Sequence, residues 1–262
     1  MLHAASLPSL LMYRFALRPR WVVFHLVVAA AVVAMVNLGL WQLRRLDERQ
    51  SFNTTVEQRW DAPPVDIAVL LPPASDDTST VIDTLEWRRV AARGTYLADE
   101  EIRVVNRSQN GRAGDNIVVP LRLDDNRVVL VTRGFVPLGR DPSPTPDGVI
   151  TVEGHIRAER DPGALAARDP ADGELRTVQR IDIDRLAPQI PGELLPIWID
   201  LTASEPAEIG PWPEPVIRPD LSEGSHLSYA VQWFIFSLAA VAGWAVAMRT
   251  SARRNAARHT TE

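Results

Sequence analysis

The chain contains no cysteine. That absence removes disulfides, thiolate metal sites, CxxC redox chemistry and c-type haem attachment together, and it leaves the chain indifferent to an oxidising compartment. Lysine is missing as well, since all 28 basic residues are arginine. A phosphate-cradling GxxxxGK loop is therefore impossible, and neither GxGxxG nor GxSxG occurs. The five histidines stand at 3, 25, 155, 226 and 259 without HxxxH spacing, so no zinc set is written in the sequence. With four scattered methionines, a soft-ligand copper site has little to work with. Asp124-Asp125 lacks the alternating acids and glycine of a calcium loop and reads as a solvated turn. His155 has no evident serine or acid partner in sequence, and no nucleophile–base constellation stands out, so an enzyme is not expected.

Two long uncharged runs are present instead. Trp21–Leu40 and Tyr229–Met248 each hold 20 residues without Asp, Glu or Arg, and about 20 helical residues cross a hydrocarbon core of ~30 Å. Arg14, Arg18 and Arg20 precede the first run, and Arg249, Arg253, Arg254 and Arg258 follow the second. The positive-inside rule then places both termini in the cytoplasm. Arg44 and Arg45 oppose this for the first run, and the uncontested cluster after the second decides it. The first run is longer than a signal-peptide core and has no small-x-small site after Leu40, so it reads as an anchor. Trp21 and Trp41 bracket it as interfacial residues. Ala30 and Ala34, with Ala239 and Gly243, are small residues four apart and predict close helix–helix contact. His25 and Asn37 are the polar residues inside the first run and are expected to reach the interface or bond a neighbouring backbone.

Charge follows the same division. Residues 1–48 carry five Arg against two acids, residues 226–262 carry four Arg against one, and the total is −5, which leaves −5 − 6 = −11 on residues 49–225. An acidic middle with basic ends argues for a membrane-anchored layout with lipid as partner, and against nucleic acid.

The expected fold is a membrane protein with two transmembrane α-helices flanking a mostly antiparallel β (α+β) extracytoplasmic domain. The divisions are a cytoplasmic tail over 1–20, a span over 21–40, the domain over 41–228, a span over 229–248 and a tail over 249–262. The first helix continues to about Arg59, where Asp61-Ala-Pro-Pro ends it. Val65–Leu71 reads as a short helix and Ala74–Thr80 as a loop. β-branched runs at 87–96, 101–108, 115–123 and 127–136 read as strands, separated by turn residues such as Asn110-Gly111 and Asp124-Asp125-Asn126. The last two form a hairpin. A further strand covers Val149–Arg157, a loop 160–173, a short helix Ile181–Leu186 and a last strand Leu195–Leu201. Residues 204–220 hold five prolines and predict an extended path back to the second span.

The residues that stand out chemically lie where domain and spans meet. Trp41, Arg44, Arg45, His226, Tyr229 and Trp233 fall within a turn or two of the outer membrane face. His226 offers a neutral ring nitrogen to a haem iron, and Arg44 or Arg45 offers a planar fork to propionates. The same residues equally suit a helix-flanking histidine with arginines on lipid phosphate.

Several stretches taken together resemble the Surfeit-locus-one (Surf1/Shy1) family of cytochrome c oxidase assembly factors. They are Leu38-Gly-Leu-Trp41-Gln-Leu-Arg-Arg45-Leu, Glu86-Trp87-Arg-Arg-Val90 with Gly94 and Tyr96, and Asn106-Arg107 with Gly114. Val119-Pro-Leu121, Val131-Thr-Arg133-Gly134-Phe-Val-Pro137 and His226-Leu-Ser-Tyr229-Ala-Val-Gln232-Trp233-Phe follow, in the family's order. Departures are Phe135 where the family often has Trp, Ser225 where it often has Asn, and Asn126 where it often has Gly. Asn tolerates positive φ, which keeps the hairpin. The resemblance implies a non-enzymatic factor that binds haem a or assists its placement into oxidase subunit I, with His226 as the axial ligand and metal contact. Oxidase subunits, and haem a synthase, are the implied partners. The alternative is a cofactor-free scaffold that holds oxidase or supercomplex subunits. Arg133 and Gly134 read as structural. The Ala/Arg/Pro bias fits a bacterium with GC-rich DNA, hence a bacterial plasma membrane.

Overall fold

The computed structural model describes residues 13–71, 84–159 and 168–259. Packing divides the chain into two units, one of Met1–Asn53 with Leu221–Glu262 and one of Thr54–Asp220.

The first unit is built on helices α1 (Pro19–Trp60), whose last turns belong to the second unit, and the final helix, His226–His259. Both are long and apolar enough to cross a membrane, and only 6% of each apolar window is buried. The division falls at 53/54 and 220/221, beyond the ends of the apolar runs, because polar packing continues past them. Arg49 Nε donates to Ser222 O (2.9 Å), Gln50 Nε2 to Glu223 Oε1 (3.0 Å) and Asn53 Nδ2 to Leu221 O (2.5 Å).

Along α1 a line of less exposed positions runs through Trp21, His25, Val28, Val32, Met35, Gly39, Gln42, Leu46, Arg49 and Asn53, with Phe24, Val36 and Phe52 beside it. The line alternates steps of four and three, the repeat of a left-handed helix pair. The final helix answers with His226, Ala230, Trp233, Phe234 and Ser237. A Cβ at Gly39 would lie 2.8 Å from the Phe234 ring, so this glycine sets the approach. The small residues expected to make the contact do not. Ala30, Ala34, Ala239 and Gly243 are exposed, and nothing lies within 4 Å of a Cβ at Gly243. Their four-residue spacing keeps each pair on one face, but that face is rotated away from the seam. Asn37 Nδ2 bonds Val33 O at 2.8 Å, the local backbone bond expected of it.

In the second unit, strands β1 (Val65–Asp66), β2 (Arg89–Tyr96), β3 (Ile102–Gln109), β4 (Arg112–Leu123), β5 (Arg127–Pro137), β6 (Val149–Arg157), β7 (Thr177–Val178) and β8 (Glu193–Glu205) form one sheet. Short helices α2 (Ile67–Leu70) and α3 (Ile183–Leu186) accompany it, and the long C-terminal helix is α4. The sheet is mostly antiparallel, as expected, but it also holds three parallel pairings. β5 pairs with β8 in parallel, and β1 with β2 and β3 with β7 do the same. The crossover over 158–192 returns the chain to run alongside β5, a pairing that local periodicity cannot encode. β1 occupies the start of the stretch read as a helix at Val65–Leu71. The loop predicted at Ala74–Thr80 lies outside the described residues, as does 160–167 of the loop at 160–173.

Pairing β2–β6–β8–β5–β4 and back to β2 closes a five-stranded barrel. Its strand order and single parallel pair are those of an OB-type Greek-key barrel. Closure of β2 on β4 depends on Gly94, where a Cβ would sit 2.1 Å from Arg122 O. Inside lie Val90, Ile117, Val119, Leu121, Val129, Val131, Val152, Ile197 and Ile199. A second cluster of Ile102, Val104, Val118, Val128, Leu130, Val178, Leu186 and Ile190 covers the outer face of β4 and β5. β5 is therefore buried on both faces, which is why Val128, Val129, Leu130 and Val131 follow one another without polar alternation. Asn110 and Gly111 both have positive φ (52° and 75°) in the β3–β4 turn, and Asn126 turns β4 into β5 at φ 69°.

Candidate functional site

The sequence places five residues with His226, namely Trp41, Arg44, Arg45, Tyr229 and Trp233, and the structure sorts them by helix face. His226 opens α4, is half-buried, and its Nδ1 lies 2.8 Å from Gln42 Oε1 on α1. An amide oxygen can only accept, so Nδ1 of the neutral ring carries the proton and Nε2 keeps its lone pair. Nε2 makes no hydrogen bond among the described residues.

At about 100° per residue, Arg44 sits ~200° round α1 from Gln42, Trp41 ~100° one way and Arg45 ~60° the same way. Trp41, Arg44 and Arg45 are all exposed. Arg45 is paired with Glu48 one turn on, at 2.6 Å. On α4, Trp233 shares the face of His226 two turns later, whereas Tyr229 is exposed. His226 and Trp233 thus belong to the helix seam, and Arg44 does not reach it along the same face. Gln42 completes the site, and no local sequence pattern singles it out. Its signal was the seam itself, because a polar residue at a seam position is costly unless something across the pair bonds it.

His25 also bonds across the pair. It accepts from Trp244 Nε1–H at 2.9 Å, with ring centroids 5.9 Å apart, where a backbone or interfacial partner was expected. The two rings help line an apolar groove of about 430 Å3 with Val28, Val32 and Val241.

The second unit has its own polar centres, built from contacts between protein groups. His155, 2% exposed, stacks on Trp60 at the end of α1 (3.8 Å, 17°) and donates from Nε2 to Trp60 O at 3.0 Å. Burial pushes its pKa below the usual histidine value. Arg157 lies 3.9 Å over the Trp87 ring and bonds Asp200 Oδ2 at 3.0 Å, and Trp198 Nε1 donates to Asp200 Oδ1 at 3.1 Å. Arg59 donates to Glu86 O at 2.7 Å. The Glu86-Trp87 stretch and His155 therefore fasten the helix end to the barrel.

Arg133, 1% exposed, binds Glu208 and donates to Ser143 O (3.0 Å) and Pro144 O (3.1 Å). Beside it Phe135 N donates to Glu214 O (2.7 Å) and Glu214 N to Phe135 O (2.8 Å). Gly134 has φ 145°, and a Cβ there would meet Glu214 O at 2.0 Å. These residues strap the proline-rich return path, 206–215, onto β5. Arg112 holds Glu214 and so keeps its pKa below the usual carboxylate range.

The outer face of β4–β5 carries ligands in many OB-type barrels, and here the chain's own second apolar cluster fills it. Among the described residues no three His, Asp or Glu side chains are grouped to hold a metal. At the head of α4, His226 Nε2 is an imidazole nitrogen unbonded among the described residues, on a ring that is only half-buried. One such nitrogen suits an iron that brings its other ligands with it, as a porphyrin does.

The sequence profile of the SURF1 family matches residues 29–238. An uncharacterized SURF1-like protein of Mycobacterium tuberculosis is 30% identical over 241 residues, 87% of this chain and 83% of its own. A SURF1-like protein of Monosiga brevicollis is 28% identical over 242 residues, covering 86% and 88%. A SURF1-like protein of Drosophila melanogaster is 26% identical over 231 residues, covering 79% and 72%.

Proposed function

This chain belongs to the SURF1 family, and from that premise we propose that it is a non-catalytic assembly factor for a haem–copper cytochrome c oxidase, assisting the placement of haem a into subunit I. The observation that carries the reading is His226, its Nδ1 engaged by Gln42 and its Nε2 unbonded among the described residues. Haem a, the cargo, supplies an iron with an axial position for one imidazole. His226 fills that role, and Trp41, Tyr229 and Trp233 supply aromatic surface. Arg45 reaches a propionate by exchanging Glu48, an exposed pair worth under about 1 kcal/mol. Arg44 serves lipid phosphate or a second propionate from its own face. The arginine clusters support a layout in a bacterial plasma membrane with both termini cytoplasmic and Thr54–Asp220 outside. Haem a synthase is then a natural second partner.

Visible spectra of the protein made with haem a supply, wild type against His226→Ala, test this. Loss or alteration of the haem bands in the variant is expected. Equal haem content with the same bands would sink the ligand role.

A cofactor-free scaffold is the second reading, favoured by the apolar flanks that α1 and α4 leave exposed, among them Leu26, Val33, Leu238 and Val246. It predicts co-purification with oxidase subunits in cells that make no haem a.

A further inference from the structure

The helix pair is clamped by two histidines, one from each helix, and the clamps have opposite chemistry. His226 on α4 faces Gln42 Oε1, which only accepts; His25 on α1 faces Trp244 Nε1–H, which only donates. Each contact uses Nδ1. In the neutral rings His226 therefore holds its proton on Nδ1 and its lone pair on Nε2, and His25 holds the reverse. Neither Nε2 has a hydrogen-bond partner among the described residues.

We infer that Gln42 is a positioning residue, which sets His226 in the tautomer that exposes Nε2 as a Lewis base, while Trp244 sets His25 in the tautomer that closes its Nε2 to metals. An unconstrained histidine favours the proton on Nε2, so Gln42 works against the intrinsic preference and Trp244 with it. A ligating histidine elsewhere shows the same division of labour, with one nitrogen on the metal and the other N–H held by an acceptor. The pairing thus picks one of these two clamping histidines for iron. His25 lies seven positions after Arg18 at one end of the apolar run, and Gln42 lies just past its other end, so the two rings address opposite ends of the pair. His25 with its apolar groove of about 430 Å3 has an N–H to offer and no lone pair beyond the one Trp244 uses. The iron-binding half of this inference rests on the haem reading above; the tautomer half does not.

The full-length protein, 15N-labelled at histidine and held in phospholipid nanodiscs, reports both tautomers through its ring nitrogen shifts, with His226→Asn and His25→Asn as assignments. His226 should read as Nδ1–H and His25 as Nε2–H. Gln42→Leu should move His226 to Nε2–H, Gln42→Glu should retain Nδ1–H because an acceptor is kept, and Trp244→Phe should alter His25 alone. A wild-type His226 protonated on Nε2, or one unmoved by Gln42→Leu, overturns the assignment. In a hemin titration, Gln42→Leu should weaken binding about 10- to 100-fold, the usual effect of losing such a partner, and Gln42→Glu should not. Equal hemin affinity in wild type and Gln42→Leu overturns the positioning role. Equal affinity in wild type and His226→Ala instead overturns the haem reading, and the ring spectra still decide the tautomers.

Discussion

Arg133→Met removes the cation that holds the return strap while keeping an unbranched, apolar side chain in its place. Arg133 is 1% exposed, and its partners are the Glu208 carboxylate and the carbonyls of Ser143 and Pro144. Met fills much of the space, so little of the loss comes from a cavity. It comes from Glu208, left as a lone carboxylate, and from two carbonyls left without donors. Breaking a buried pair from one side costs ~3–5 kcal/mol. Because the Glu208 side chain is 21% exposed and can turn to water, the low end applies, about 3 kcal/mol. At ~2–4 °C per kcal/mol for a unit of this size, the melting temperature falls by about 6–12 °C. Thermal and urea unfolding of the full chain in nanodiscs, followed by tryptophan fluorescence, measures this. Glu208→Gln and the double variant complete a cycle, with a coupling of about 1–3 kcal/mol expected. Amide exchange at Phe135 and Glu214, which bond each other, should accelerate in Arg133→Met. A loss below about 1 kcal/mol, or a coupling within ~0.5 kcal/mol of zero, would refute the view that Arg133 fastens the strap.

Gly134→Ala puts a Cβ 2.0 Å from Glu214 O at φ 145° and should cost about 3 kcal/mol or more. Gly139→Ala, with φ 76° and open space, should cost only about 1 kcal/mol, and equal losses in urea unfolding would remove the crowding explanation. Burial depresses the His155 pKa from 6.5. A histidine held neutral in the fold contributes stability that is complete above about pH 6.5 and lost as pH falls from there through the folded value. His155→Phe keeps the stack on Trp60, loses about 1 kcal/mol with the bond to Trp60 O, and should flatten the stability profile between about pH 7 and 5; parallel profiles would show that His155 is not the group responsible. Gly39→Leu should prise α1 from α4 where Phe234 packs. Spin labels at exposed Leu40 and Ile235, placed in a chain with no native cysteine, should report a longer, broader distance distribution, and an unchanged one would move the close approach elsewhere.

Elements set by local chemistry were legible in the sequence. Asp61-Ala-Pro-Pro stops α1 at Trp60 because proline cannot continue a helix. Val149–Arg157 is a strand from the first residue to the last, and Asn126 turns the hairpin as its tolerance of positive φ allows. Strand existence was readable where β-branched residues cluster. β7 and β1 were not, since each is two residues long and each exists only because a neighbouring strand offers an edge. The small-residue spacing of Ala30/Ala34 and Ala239/Gly243 misled because spacing gives a face and not the direction in which that face points.

By itself the sequence determined the two apolar helices, the acidic middle, most of the strands, and the candidacy of His226, because hydrophobic run length, charge and turn chemistry act over a few residues. Only the tertiary structure decided that β5 and β8 run in parallel, that the barrel closes through Gly94, and that the strap hangs on Arg133. It alone brought Gln42 to His226 and Trp244 to His25, pairs separated by 184 and 219 positions. Contacts at such separations depend on how whole helices rotate about one another, and no local pattern in either segment specifies that rotation.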